Sequence, residues 1–224
     1  KLFYIWPHIL TQRNYKIMCG IVGYVGSNQA FPFLLDGLKK LEYRGYDSAG
    51  IALHMGDKIV NFKKEGKVAE LENFVVGKNT DSHLGIGHTR WATHGEPSDR
   101  NAHPHYSNSG TISMIHNGII ENYASIKVEL EAKGYTFQSD TDSEVLVNFI
   151  EDIKLQNQCS LEEAIRIALK RVTGAYVILL LDADMPDTII AARKGSPLVI
   201  GIGDNEHFLG SDAFIYLRSI SLKY

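Results

Sequence analysis

What most constrains the fold is the way the β-like runs are grouped. Residues 49–54 and 58–63 form one pair, joined by Met55-Gly56-Asp57, a hairpin signal. Four more runs, 175–182, 188–193, 198–202 and 207–211, follow one another late in the chain. They are separated by the turn sequences Asp184-Met185-Pro186-Asp187, Gly195-Ser196-Pro197 and Gly203-Asp204-Asn205. Residues 19–25 add a short apolar strand closed by Gly26, and 84–91 and 111–116 read as strands around a long polar loop. The helical segments fall between these blocks. Residues 30–41 place Phe31, Leu34, Leu35, Leu38 and Leu41 at helical spacing, with Gly45 as a stop. Residues 121–133 form a second helix ended by Gly134. Thr141-x-x-Glu144 and Ser160-x-x-Glu163 are capping boxes that open two more. Strict βαβ alternation would build a parallel sheet. Hairpins in blocks, with helices between them, build antiparallel sheets with helices outside, an α+β fold.

The remaining bulk properties exclude rather than assign. Net charge is -3, which gives no electrostatic footprint for nucleic acid. No apolar run is long enough to span a membrane. The two cysteines, Cys19 and Cys159, make no disulfide framework and no Asn-x-Ser/Thr sequon occurs, as in a cytoplasmic protein. Residues 1–17 show neither period nor cap and lack a signal-peptide cleavage pattern, so they read as an upstream extension or expression scar, or else a propeptide. Met18 is the first credible start. Residues 214–224 could form a strand but carry no motif, so the organised part runs over 18–213. Cys159 reads as a structural thiol at a helix start.

The polar stretch from 84 to 118 holds His88, His94, His103, His105 and His116. A long loop inside a compact domain is commonly functional. His103-x-His105 could chelate a metal, but the other spacings match no usual zinc pattern, and histidines hydrogen-bonded in a polar loop core are the expectation. No cofactor is implied. Cys19 follows Met18 directly. Removal of Met18 would leave Cys19 with a free α-amine of pKa about 7.7–8.0, a usable base at neutral pH. One residue would then supply both the nucleophile and the base that deprotonates it. A small hydrophobe heading a strand explains the same residue equally well.

Taken together, the segments resemble a known family. Met18-Cys19-Gly20-Ile21-Val22-Gly23 resembles the opening of the class II glutamine amidotransferases. The stretches LEYRGYDSAG at 41–50, HTRWATHG at 88–95, NAHPH at 101–105, HNGIIEN at 116–122 and TDSE at 141–144 resemble, in order, those of the glucosamine-6-phosphate synthase branch, and Gly195-Ser196-Pro197-Leu198 adds a later match. The Arg-Gly-Tyr-Asp-Ser form separates this branch from the purine-pathway amidotransferases.

The resemblance implies a four-layer αββα sandwich of the N-terminal-nucleophile (Ntn) hydrolase type and a set of roles. Cys19 would attack the side-chain amide of glutamine. Asn117 and the Gly118 N–H would form the oxyanion hole. Arg90 would hold the substrate α-carboxylate, helped by Thr93 and His94, and Asp142 the α-ammonium. Trp91 would gate ammonia transfer. The intact enzyme is expected to carry a sugar-phosphate isomerase region and to be a homodimer. The chemistry asks for such groups independently. A zwitterionic head needs a cation and an anion at fixed separation, and a tetrahedral intermediate needs donors aimed at its O⁻. Each residue also has a plain reading: Arg90 as a surface ion pair, Asp142 as part of a helix cap, Asn117-Gly118 as a turn, Trp91 as a core residue. Rival functions are a non-catalytic glutamine-binding domain and the glutaminase domain of another class II amidotransferase.

Overall fold

The computed structural model describes residues 19–92 and 95–216. Two antiparallel sheets form the centre. One has six strands, β1 (Gly20–Val25), β2 (Ser48–Met55), β3 (Lys58–Glu65), β4 (Leu84–Arg90), β9 (Val199–Ile202) and β10 (His207–Gly210), in the order β3-β2-β4-β1-β10-β9. The other has four, β5 (His105–Tyr106), β6 (Ile112–Ile120), β7 (Gly174–Asp182) and β8 (Ile190–Lys194), in the order β5-β6-β7-β8. Helices α1 (Ala30–Leu41) and α2 (Val68–Val75) cover the first sheet. Helices α3 (Tyr123–Glu131), α4 (Asp142–Asn157) and α5 (Leu161–Arg171) cover the second. This is the four-layer αββα sandwich.

Side-chain alternation along the strands separates three cores. On β7, Val177, Leu179 and Leu181 face the first sheet, where they meet Ile21, Ile86 and Leu209. The intervening Tyr176, Ile178 and Leu180 face α4 and α5. On β1, Ile21 points between the sheets, while Val22 and Tyr24 point to Leu34 and Leu38 of α1. Both strands are therefore apolar on both faces, because both faces are covered. The outer helices keep a one-sided pattern. In α5 only Leu161, Ala164, Ile165 and Ala168 are buried. Helix α4 is the exception: residues 142–153 are all buried, since it lies between α3, α5 and β6.

Both caps form. Thr141 Oγ1 accepts from Glu144 N at 3.2 Å and Ser160 Oγ from Glu163 N at 3.3 Å. The Glu144 carboxylate does not return to the Thr141 N–H as a full capping box would. It accepts from the backbone N–H groups of Gln138 and Ser139 instead, at 2.8 and 2.6 Å, and so fixes the turn before α4. The strand expected to end at 116 runs on to Ile120, paired throughout with β7. Helix α3 is shorter than 121–133: β6 runs to Ile120, the Glu121 N–H continues its pairing by donating to Thr173 O at 2.9 Å, and Asn122 is not yet helical. The strand expected from 214 onward is corrected in its described part. Ala213–Tyr216 is a 3₁₀ turn, with Ile215 buried against α1 and its carbonyl accepting from Lys40 Nζ at 3.2 Å. Residues 1–18 and 217–224, including the leader and most of the tail, lie outside the described residues. Among the described residues no helix is long and apolar enough to cross a membrane.

Candidate active site

Four separate segments meet at one cleft between the sheets. Cys19 sits at the head of β1, Arg90 and Trp91 at the end of β4, Gly118 within β6, and Asp142 in the first turn of α4. All line the same cleft, together with His103, His116 and Ser143. A wider groove, about 420 Å³ beside Met55, Lys58, Phe62 and Lys78, shares no residue with it and is lined by no cysteine, serine or histidine.

The register of β1 against β4 sets the position of Cys19. Gly20 pairs with Thr89, so Cys19 lies beside the chain that leaves β4. Its Sγ accepts from the Trp91 N–H at 3.0 Å and faces the Trp91 carbonyl at 3.5 Å. Burial pushes the Cys19 thiol up from its ordinary value. The Trp91 N–H opposes that, the Asp47 carboxylate adds to it, and Arg90 opposes it. The thiol is therefore protonated at neutral pH and needs a base before it can attack a carbonyl.

Asn117 and Gly118 lie in mid-strand, which removes the turn reading. Asn117 Nδ2 donates to the Cys19 carbonyl at 2.8 Å, a bond from one sheet to the other. Gly118 has φ +134°, and a Cβ there would lie 2.0 Å from the Ala175 carbonyl oxygen, so only glycine fits. Arg90 is 3% exposed, which removes the surface ion-pair reading. It pairs with Asp47 at 3.5 Å and donates to the carbonyls of Gly95 and Glu96 at 2.9 and 3.3 Å. Its guanidinium thus braces the loop that leaves Trp91. Trp91 itself is 44% exposed at the cleft, so the core reading fails for it. Asp142 Oδ2 accepts from the Ile120 N–H at 2.8 Å, and its charge lies where the α4 dipole favours an anion. Thr93 and His94 lie outside the described residues.

His88, His103, His105 and His116 sit in a hydrogen-bonded interior. His103 Nε2 and His116 Nδ1 both reach Ser143 Oγ, at 2.8 and 2.9 Å, and His105 Nε2 reaches Thr141 Oγ1 at 3.1 Å. His88 and His103 stack with ring centroids 4.2 Å apart. Burial holds His103 and His105 well below the ordinary histidine range and brings His88 to about 3, so these rings are neutral.

Two contributors carried no sequence signal of their own. Asp47 accepts from the Ala92 N–H and takes the Arg90 carbonyl on its own N–H at 2.7 Å, which ties β2 to the Trp91 segment. Ser143 bridges two histidines beside Asp142. Both lie inside stretches quoted for the resemblance, but spacing alone assigns them no role.

A model of the glutamine amidotransferase domain matches residues 88–215, more than half of the chain. The chain belongs to the class II glutamine amidotransferases. Among curated relatives of this family, the isomerizing glutamine–fructose-6-phosphate aminotransferase of Bacteroides thetaiotaomicron is 59% identical over 197 residues, covering 88% of this chain and 32% of that protein. That of Chlorobaculum tepidum is 56% identical over 200 residues, covering 88% and 32%. Among solved structures, the glutamine phosphoribosylpyrophosphate amidotransferase from B. subtilis, complexed with ADP and GMP, superposes with a TM-score of 0.75 at 29% identity, covering 88% of this chain and 43% of that one. The amidotransferase chain thus spans about a third of the length of the curated relatives it matches.

Proposed function

We propose that this chain hydrolyses the side-chain amide of glutamine through a γ-glutamyl thioester on Cys19, and that in the intact protein the ammonia passes to fructose-6-phosphate on a fused isomerase region. The observation that carries this reading is the convergence of Cys19, Arg90, Gly118 and Asp142 on one cleft.

Each step asks for a group that lies there. Arg90 and Asp142 take the α-carboxylate and α-ammonium of glutamine, so the amide carbon is set against Cys19 Sγ; the part of Thr93 and His94 in holding the carboxylate rests on the resemblance alone. A free α-amine on Cys19 accepts the thiol proton as sulfur bonds to carbon. The developing oxyanion is met by the second Asn117 Nδ2 hydrogen and the Gly118 N–H. Collapse breaks the C–N bond, and the protonated amine returns the proton to the leaving nitrogen, releasing ammonia. Water then attacks the thioester with the same amine as base, giving glutamate and the free thiol. Trp91 borders the exit and would gate the ammonia. The raised thiol pKa supports the need for that base.

The names of the relatives, isomerizing aminotransferases about three times as long, support the sugar-phosphate acceptor. A homodimer remains part of the same proposal for the intact protein. Cys19 and Cys159 are free thiols, and a catalytic thiol keeps its reactivity in a reducing cytoplasm.

The test compares a chain with Lys1 verified at its N-terminus with one beginning at Cys19, by glutamate release and intact mass. Only the second should turn over, and its Cys19→Ala variant should be inactive while Cys159→Ala keeps wild-type rates. Equal rates from the two N-termini would overturn the α-amine as base. No glutamate from either would overturn the glutaminase reading.

A further inference from the structure

His88 lies in mid-β4, fully buried, and takes no part in the steps above. Its Nε2 is 3.0 Å from the His116 carbonyl oxygen and 2.9 Å from Asn117 Oδ1. A carbonyl oxygen can only accept, so Nε2 must carry the proton. Asn117 is constrained from its other end as well. Its Nδ2 donates to the Cys19 carbonyl, which can also only accept. The reversed amide would set Oδ1 against that carbonyl, acceptor to acceptor. It would also turn the NH₂ group toward a donating imidazole.

On the glutaminase reading given above, we propose that His88 is a positioning residue whose neutral Nε2–H tautomer locks the Asn117 amide with its NH₂ group turned toward Cys19. An amide held this way spends one hydrogen on the Cys19 carbonyl and leaves the other for the oxyanion. The rest of the His88 ring agrees with that tautomer. Its Nδ1 is buried with no hydrogen-bond partner among the described residues. A bare ring nitrogen tolerates that place, whereas an N–H there would be an unpaired buried donor. Protonation of the ring is opposed by burial and by the nearby His116 and Arg90, which leaves its pKa at about 3. The stacked His103 ring holds the imidazole plane from the side. Because β4 and β6 belong to different sheets, the lock also holds the nucleophile's sheet against the oxyanion donor's sheet.

The tautomer is read directly by ¹⁵N NMR of histidine-labelled full-length protein at pH 7, without turnover. A protonated Nε2 and bare Nδ1 on His88 is the expected result; an Nδ1–H tautomer overturns the proposal. A double-mutant cycle reads the function. His88→Leu should lower kcat about ten-fold or more, short of the 10²–10³-fold expected for loss of an oxyanion donor, with little change in KM for glutamine. His88→Gln, which keeps a side-chain N–H, should recover most of the rate. In an Asn117→Ala background His88→Leu should cost nothing further, because its partner is already gone. Equal losses in both backgrounds overturn the proposal. Should His88→Leu fail to fold, the wild-type NMR and the Gln variant decide. These rates are read on chains beginning at Cys19; a wild type of that form that releases no glutamate would sink the glutaminase reading, and the NMR result would still judge the His88 tautomer.

Discussion

At the residue scale, Asn117 and Gly118 are adjacent in sequence and fail in different ways. On the proposed oxyanion role, Asn117→Ala removes a donor that acts once charge develops, so kcat should fall about 10²–10³-fold with a smaller change in KM. It also leaves the Cys19 carbonyl and His88 Nε2 each short of a partner, for a stability loss of about 1–3 kcal/mol. Gly118→Ala meets backbone. Its Cβ would press on the Ala175 carbonyl at a φ of +134°, so β6 and β7 must part, at about 2 kcal/mol or more. Urea titration beside steady-state kinetics separates the two. A Gly118→Ala protein with wild-type stability would mean that the strand yields there. That Cys19, Arg90, Gly118 and Asp142 would line one cleft was expected from the roles the resemblance implies, and the fold brings them together; the roles themselves are part of the proposal. Asp47, His88 and Ser143 were not legible as participants. Their contributions are contacts between β2, β4, β6 and α4, and spacing along one chain does not encode which strands become neighbours.

At the element scale, the N-terminus of α4 joins fold to site. Thr141 caps the helix, accepts from the Glu144 N–H, and meets Ser139 Oγ at 2.9 Å and His105 Nε2 at 3.1 Å, all in the interior. Ser160 caps α5 at the surface and has only its bond from the Glu163 N–H among those described. Both caps read identically in the sequence, yet their losses should differ. Ser160→Ala should cost about 1 kcal/mol, and Thr141→Ala about 2 kcal/mol or more, because buried partners are stranded as well. That is a difference in Tm of about 2–4 °C for a chain of this size, measurable by thermal unfolding of the two variants. Equal shifts would mean that the Thr141 neighbours find other partners. The same contrast explains what sequence reading missed. Helices and hairpins with a strong local period, such as α1 and the β2–β3 pair, were legible to within a residue or two. Helix α2 does place Val68, Leu71 and Val75 at helical spacing, but it is only eight residues long and Lys67 gives it no side-chain cap to mark its start. The two-residue β5 exists because β6 offers it an edge. Gly50 shows the same dependence on tertiary context: its Cβ would fall 2.0 Å from the His103 carbonyl, so β2 is shaped to admit a loop more than fifty residues away.

At the scale of the whole molecule, the neutral histidines between the sheets link stability to pH. His88, His103 and His105 have folded pKa values below the unfolded value of about 6.5. The sign follows directly. Above about pH 6.5 neither state binds protons on these rings, and their contribution is fully present. As pH falls below that value, the unfolded chain takes up a proton on each ring while the fold does not, until about pH 3 for His88. Stability is therefore lost on the acid side, at about 1.4 kcal/mol per pH unit for each ring. Because the unfolded rings are only half protonated at pH 6.5, three rings together would remove about 3 kcal/mol between pH 6.5 and 5.5, a large share of the roughly 5–15 kcal/mol that holds a domain folded. Denaturant titrations at pH 7.5, 6.5 and 5.5 should show ΔG falling with a slope that approaches three protons. His105→Gln, which leaves a hydrogen-bonding side chain beside Thr141, should reduce that slope by one proton. A slope near zero below pH 6.5 would mean that the rings protonate inside the fold. His88 would then bring a second positive charge up to Arg90, and the Asn117 amide would face a ring with both nitrogens protonated. On the proposed role of His88, one of the three imidazoles behind the acid limb of stability also orients the Asn117 amide.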